Sequence, residues 1–258
     1  MHTAILITGA SGGLGAEFAK LAAADGQSLI LVARRGDALE TLAGELRSAY
    51  GIDVLTIACD LAERDAARSI AGRIEQEGMT VTMLINNAGI GLYGAFTETA
   101  LEQERAMMEL NMLALTELTK HVLPGMIAAK SGRILTVAST AAFSPGPLMA
   151  VYFASKAYVL SFSVALAEEL KAAGVTVTCL CPGPTRTGFA ARAEATGTRL
   201  FRGSVMDAPT VAAAGYRACK RGKRIVVPGL RNKIMTFGTR LVPRSLAAAI
   251  AERAVRAG

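Results

Sequence analysis

Short apolar runs alternate with longer amphipathic stretches along most of this chain. The runs at 4–8, 29–33, 54–58, 83–86, 134–139, 175–181 and 225–227 are nearly continuously hydrophobic, the pattern of parallel strands covered on both faces. Between them, stretches rich in Ala, Leu and Glu at 14–25, 37–50, 63–77, 101–129, 149–173 and 207–220 read as helices. Repeated strand–helix alternation predicts an α/β fold with a doubly wound, seven-stranded parallel sheet and helices on both of its faces. Ligands of such sheets bind at the carboxyl ends of the strands.

Two regions break the alternation. Residues 182–206 are rich in Gly, Thr and Arg and include Phe189 and Phe201; the part from about 184 reads as a mobile lid or an ordinary surface loop. From about 229 to 258 runs a mixed basic and apolar extension, with a helical pattern from about Ser245. It is expected to pack on the domain, form an oligomer contact or lie on a membrane surface. Nothing between these regions resembles a linker, so one domain over 1–258 is expected. With 52% hydrophobic and 19% charged residues, the chain suits a well-buried core and not disorder. No apolar run reaches the ~18 residues of a membrane span, and the run at 4–7 is too short for a secretory leader, so a cytoplasmic location is the expectation.

Charge is unevenly distributed. Residues 1–185 carry 13 Lys/Arg against 18 Asp/Glu, a balance of −5, whereas 186–258 carry 15 against 3, or +12. The C-terminal part thus either meets something anionic or presents a solvated basic surface. Nucleic acid is not expected, for want of a recognition motif and of aromatics in the basic segment. Cys59, Cys179, Cys181 and Cys219 form no CxxC pair and read as small core residues, with Cys179 and Cys181 expected on opposite sheet faces. His2 and His121 have no ligand cluster beside them, and no metal site is expected.

The first strand runs into Thr8-Gly9-Ala10-Ser11-Gly12-Gly13-Leu14-Gly15 and then a helix. Glycines there permit a tight turn and close approach of a pyrophosphate to a helix N-terminus, the mark of a Rossmann-type dinucleotide site. Arg34 lies nineteen residues beyond Gly15, near where an acid would hold the ribose of NAD. The chain instead has Arg34-Arg35, whose guanidiniums suit a 2′-phosphate, so NADP(H) is the expected cofactor. Further on, Tyr152 and Lys156 stand at helical i,i+4 spacing, thirteen residues after Ser139. A phenol titrates near pH ~10 unless a nearby cation favours its phenolate, and a serine hydroxyl beside it would complete an acid–base group for C–OH/C=O interconversion.

Taken together, Thr8-Gly9-xxx-Gly13-x-Gly15, Asn86-Asn87-Ala88-Gly89, Asn111, Ser139, Tyr152-xxx-Lys156 and Pro182-Gly183 resemble the short-chain dehydrogenase/reductase family over about residues 3–230, in its single-domain, NADP-preferring bacterial branch. The resemblance implies an oxidoreductase in which Tyr152 is the acid or base. Lys156, with the nicotinamide's positive charge in the oxidised complex, lowers the tyrosine pKa and anchors the nicotinamide ribose. Ser139 binds the substrate oxygen, and Asn111, at a local kink in its helix, holds a water that extends a proton relay from Lys156. On the cofactor side it implies Gly9, Ser11, Gly13, Leu14 and Gly15 around the phosphates, with Ser11, Arg34 and Arg35 on the 2′-phosphate. Asp60 and Leu61 belong beside the adenine, and Asn87, Ala88 and Gly89 on the adenosine ribose. Pro182, Gly183, Thr185 and Thr187 belong near the nicotinamide or pyrophosphate. Gly12 departs from relatives with a basic residue there, so the NADP preference rests on Arg34 and Arg35.

The resemblance places candidate substrate-wall residues at 90–93, 141–143, Met149, Pro184 and 189–201; their apolar members suit a hydrophobic carbonyl or alcohol, or belong to the core. Met107, Met108 and Met112 suit the core or an oligomer interface. A homodimer or homotetramer through the helices at 101–129 and 149–173 is implied by the relatives. The competing function is a non-catalytic NADP(H)-binding sensor or scaffold.

Overall fold

The computed structural model describes residues 2–203 and 205–256. Position 204 of the expected lid and positions 257–258 of the extension lie outside the described residues. Seven parallel strands form the central sheet: β1 (His2–Thr8), β2 (Ser28–Ala33), β3 (Val54–Ala58), β4 (Met79–Asn86), β5 (Gly132–Val137), β6 (Val175–Leu180) and a two-residue edge strand in the 225–226 segment. Their order is β3-β2-β1-β4-β5-β6 followed by that edge strand. The chain thus winds outward in one direction from β1 and in the other from β4, the Rossmann-type arrangement expected from the alternation.

Side-chain alternation explains why both faces are apolar. Ile5, Ile7, Leu29, Leu31, Met83, Ile85, Leu135 and Val137 point to one face, where they pack with Phe18, Ala19 and Ala22 of α1 (Gly13–Ala24), with α2 (Gly36–Tyr50) and with Val211 and Tyr216. Leu6, Ile30, Val32, Leu84, Ile134 and Val177 point to the other, against α3 (Ala66–Gln76), α5 (Leu115–Ala128) and α6 (Ala150–Glu169). Helix α6 is long and apolar enough to cross a bilayer by length and composition. Here it packs against β6 and the sheet, with Val159 and Ser163 fully buried.

The helix expected at 101–129 is interrupted. It comprises α4 (Leu101–Met108), a π-helical segment Glu109–Ala114 and α5, with Asn111 inside the π segment. The kink expected at Asn111 therefore has the form of an extra residue per turn, a device common at functional sites. Cys179 and Cys181 do not face opposite ways. Positions two apart in a strand share a face, and the two Sγ atoms stand 3.7 Å apart in one cluster with Leu115, Ala138 and Val159. All four thiols are free.

Within the expected lid the chain forms β7 (Thr185–Arg186), short helices α7 (Phe189–Arg192) and α8 (Arg199–Arg202), and β8 (Met206–Asp207). β7 and β8 pair in parallel, Thr185 with Met206 and Arg186 with Asp207, which pins the two ends of the excursion together. Helix α9 (Ala208–Lys220) follows, capped by Asp207, whose carboxylate accepts from the Thr210 N–H at 2.7 Å. After the edge strand β9 (Ile225–Val226), the extension forms α10 (Leu230–Gly238) and α11 (Arg244–Val255). The extension packs on the fold: α10 touches the turn at 140–143, and α11 touches α8.

Candidate active site

The switch point between β1 and β4 is tied together by side chains. Thr8 Oγ1 accepts from the N–H groups of Asn87 and Ala88, both at 3.0 Å, while Asn87 Nδ2 donates to Thr8 O at 2.8 Å and Gly9 O at 3.2 Å. This cross-link leaves no room at the glycine turn. Gly9 has φ +65°, and a Cβ there would lie 2.9 Å from Asn87 Nδ2; a Cβ on Gly15 would lie 2.2 Å from Gly9 O. Gly13, with φ +57°, faces Thr187 at 3.3 Å from its own absent Cβ. The turn therefore presents bare backbone to a cleft of about 1030 Å³ that runs along the carboxyl ends of the strands. A dinucleotide fits this cradle in shape and in donor chemistry.

Of the expected cofactor residues, Gly9, Ser11, Gly13, Leu14, Arg34, Arg35, Asp60, Leu61, Asn87, Ala88, Gly89, Pro182, Gly183, Thr185 and Thr187 line the cleft, as do Ser139, Tyr152 and Lys156. Gly15 and Asn111 do not: the first closes the turn from behind, and the second is buried. Arg35 Nη2 donates to Ser11 O at 2.8 Å and to Ser11 Oγ at 3.3 Å, so a guanidinium sits on the glycine turn. Arg34 lies 3.6 Å from Asp60, an exposed pair that an incoming phosphate could compete for. A third guanidinium joins them from α7. Arg192 lines the same cleft, and burial together with the charges of Arg35 and Arg34 holds its pKa below the ordinary value. No motif marked it; the arginine excess after Thr185 was its only trace.

At the other end, Ser139 follows β5 and opens a single 3₁₀ turn (Thr140–Phe143), its Oγ accepting from Ala141 N at 3.1 Å. The first turn of α6 brings Tyr152 to face it, and one turn later Lys156 Nζ donates to Val137 O at 3.0 Å. Tyr152 and Lys156 are both buried. Burial dominates the titration of both groups. Burial pushes Tyr152 up to about 12, with Ser139 pulling the other way, and burial pushes Lys156 down to about 8. The ammonium lies 5.8 Å from the tyrosine ring centroid, and its hydrogen bond goes to a backbone carbonyl.

Asn111 is fixed by its side-chain amide. Its Oδ1 accepts from Ile90 N at 3.0 Å, and its Nδ2 donates to Ile90 O at 2.9 Å and Ser155 Oγ at 3.0 Å. The amide thus clamps the strand that follows Gly89 to α6. A Cβ on Gly89 would meet Asn111 Oδ1 at 3.1 Å and Lys156 Nζ at 3.2 Å, so glycine is what lets the clamp and the lysine meet there.

The substrate end is walled differently from expectation. Ile90, Ala141, Met149, Pro184, Phe189 and Phe201 line the cleft, but Leu92, Tyr93, Ala142 and Phe143 pack into hydrophobic clusters beside it. Met107 is core, packed with Met149 and Tyr152. The remaining wall comes from the extension: Met235, Thr236 and Thr239 around α10, Val242, and Ala247, Ile250, Ala251, Ala254 and Val255 of α11. Sequence reasoning missed this wall, because helices that cover a cleft carry no motif of their own. Among the described residues no cluster of metal-ligating side chains occurs.

A doubly wound sheet whose switch point carries a glycine cradle, with Ser139, Tyr152 and Lys156 at its far end, defines a dinucleotide-binding protein of the Rossmann type. The chain belongs to the short-chain dehydrogenase family, whose sequence model matches residues 3–197. It is 42% identical over 180 residues to a very-long-chain 3-oxoacyl-CoA reductase of Pyrenophora tritici-repentis, a match covering 68% of this chain and 52% of that protein. The chain thus spans about half the length of that relative. Among solved structures it resembles a short-chain dehydrogenase from Sphingobium yanoikuyae in complex with NADPH, at 32% identity and TM-score 0.83, covering 93% of this chain and 94% of the other. It also resembles a bulky-bulky ketone specific alcohol dehydrogenase from Comamonas testosteroni, at 29% identity and TM-score 0.78, covering 93% of each chain.

Proposed function

We propose that this oxidoreductase is an NADP(H)-dependent carbonyl reductase that converts a ketone on a lipophilic molecule to a secondary alcohol. The observation that carries the reading is the meeting, in one cleft, of Ser139, Tyr152 and Lys156 with a glycine cradle ringed by Arg34, Arg35 and Arg192. Three guanidiniums with a single acid among them favour the additional phosphate of NADP(H) over NAD(H). The apolar wall of α8, α10 and α11 favours a substrate with a large hydrophobic part, consistent with relatives described as acting on very-long-chain 3-oxoacyl-CoA and on bulky ketones.

The chemistry that the cofactor supplies when bound is a hydride for the carbonyl carbon. The protein's own part is to hold and move one proton. Ser139 Oγ donates to the carbonyl oxygen and fixes it against the phenol. Tyr152 Oη then gives its proton to that oxygen as negative charge builds there. A phenol with its pKa held near 12 is protonated at neutral pH and so is ready as an acid. Lys156, its Nζ 5.8 Å from the ring centroid, steadies by its positive charge the phenolate left behind until a proton returns from solvent. Asn111 positions the 89–90 backbone beside the lysine. Self-association through α5 and α6 belongs to the same reading, since Leu113, Ile127 and Tyr158 stand exposed on that side.

The test is NADPH oxidation across 3-oxoacyl thioesters of increasing chain length and a panel of bulky ketones. Turnover rising with apolar size, and lost in Tyr152→Phe with NADPH affinity kept, is the expected result. Tight NADPH binding without turnover on any carbonyl would instead be the behaviour of a non-catalytic sensor.

A further inference from the structure

Helices α10 and α11 each face the cleft on one side and open space on the other. Their inner sides line the cleft, with Thr236 and Ala247 buried there. Their outer sides carry large apolar residues in the open: Leu230 is 73% exposed, Ile234 65% and Phe237 60%, at i, i+4 and i+7 on one face of α10. Leu241 follows in the turn between the helices at 72% exposed, and Leu246 and Ile250 continue the surface at i,i+4 on α11. Large exposed apolar residues gathered on two consecutive helices and the turn between them mark an interaction site.

Its charge complement says what covers it. Residues 229–258 hold six Lys or Arg and one acid, Glu252. Glu252 is itself occupied by Arg256 at 2.6 Å. Arg231, Lys233, Arg240, Arg244 and Arg253 are all exposed around the apolar residues. A second copy of this chain would bring the same positive charge to the contact, whereas a bilayer with anionic headgroups supplies the opposite charge and an apolar layer beneath it. Apolar residues flanked by Lys and Arg on a short helix pair are the features of a segment that lies in the membrane interface.

We propose that the outer faces of α10 and α11 form a membrane-docking surface for anionic lipid. The surface is continuous with the cleft, because Met235 and Ile250 both line the cleft and stand about half exposed. A lipophilic ketone could therefore pass from the bilayer to Tyr152 without crossing water. That delivery role rests on the carbonyl-reductase reading; the docking itself does not.

The test is co-sedimentation of the full chain with phosphatidylcholine vesicles, with and without phosphatidylglycerol. Binding to the phosphatidylglycerol vesicles, weakening as salt is raised, is the expected result. The pair Ile234→Asp and Phe237→Asp should lower the partition coefficient by about tenfold or more, at unchanged thermal midpoint. Arg240→Glu with Arg244→Glu should remove the preference for phosphatidylglycerol. Tyr152→Phe should bind vesicles like the wild type whatever its turnover, which separates docking from catalysis. The proposal is overturned if the wild type stays in the supernatant at low salt, or if the Asp pair pellets as well as the wild type. It is equally overturned if ultracentrifugation finds a self-associated wild type that the Asp pair turns into monomers, since the surface would then be a contact between copies.

Discussion

The ring of Phe189 leans on the ring of Tyr152, centroids 5.4 Å apart and planes tilted by 46°. Phe189 opens α7, two residues after the Thr187 that faces the glycine turn, and its Cζ lies 2.7 Å from where Gly91 would carry a Cβ. The segment between β7 and β8 thus touches both the glycine turn and Tyr152. Phe189 is also part of the reason that Tyr152 is buried, and burial is the cause of its raised pKa.

Phe189→Ala should therefore act on rate and on pH dependence together. Removing the ring wets the phenol, and its pKa should fall from about 12 toward the ordinary ~10. In the alcohol-oxidising direction, which needs the phenolate, the pH–rate limb should move to lower pH. In the reducing direction kcat should fall roughly tenfold through lost positioning. Steady-state rates over pH 6–11 in both directions check this (a range chosen around the ordinary phenol value). An unmoved oxidation limb would show that Phe189 does not set the tyrosine's environment.

The arginines should separate the two dinucleotides in binding. Arg35 is held on Ser11 by hydrogen bonds, Arg34 is paired with Asp60, and Arg192 reaches the same cleft from α7. Each alanine substitution should raise the NADPH dissociation constant about tenfold or more, the worth of a charge-assisted hydrogen bond, and leave that of NADH nearly unchanged. Fluorescence titration with both cofactors is the measurement. Equal losses for NADH and NADPH at Arg192 would remove it from the phosphate site.

How much of this was legible beforehand depended on whether a feature is periodic and local or made by tertiary contact. The strands read correctly because both-face burial writes continuous apolar runs, and the glycine turn read correctly because backbone conformation at Gly9 and Gly13 demands that residue type. Ser139, Tyr152 and Lys156 were legible from spacing, as strand end and helix turn bring them together. Strands β7 and β8 were not, since two-residue pairings carry no pattern. Helix α10 was missed because it is short, nine residues, and its most exposed side carries Leu230, Ile234 and Phe237 where a polar face would be expected. Arg192 was one arginine among many until the fold turned it toward Arg34 and Arg35. Asn111 was legible as a residue at a helix irregularity, but only the fold reveals that its amide binds Ile90 and Ser155.

Lys156 should leave a signature in stability. Its folded-state pKa is about 8, below its ordinary value of 10.5, so between these two the unfolded chain binds more protons than the folded one. Stability from this group is then reduced below pH 8 and recovered as pH rises from 8 to 10.5. Lys156→Met removes the buried charge and keeps the stem. The difference in thermal midpoint between Lys156→Met and the wild type should be largest in favour of the variant below pH 8 and should shrink toward pH 10.5. A difference that does not change with pH would mean that the ammonium is not desolvated in the fold.

The last prediction concerns how the extension is seated. A Cβ on Gly183 would lie 2.5 Å from Asn232 Nδ2 and 2.6 Å from Oδ1, and that amide donates to Pro228 O at 2.8 Å. Asn232 belongs to α10, so the Pro182-Gly183 turn beside the cleft and the helix that walls it are in direct contact. Gly183→Ala must push the amide off its carbonyl partner or move α10 outward. Either cost is of order 1–3 kcal/mol, which for a chain of this size lowers the thermal midpoint by several degrees. Asn232→Ala removes the obstacle. Added to Gly183→Ala it should restore most of the lost midpoint, so that the double variant melts close to Asn232→Ala alone. A double-mutant cycle of thermal melts reads this coupling directly. Purely additive losses would mean that Gly183 answers to its own backbone and not to α10.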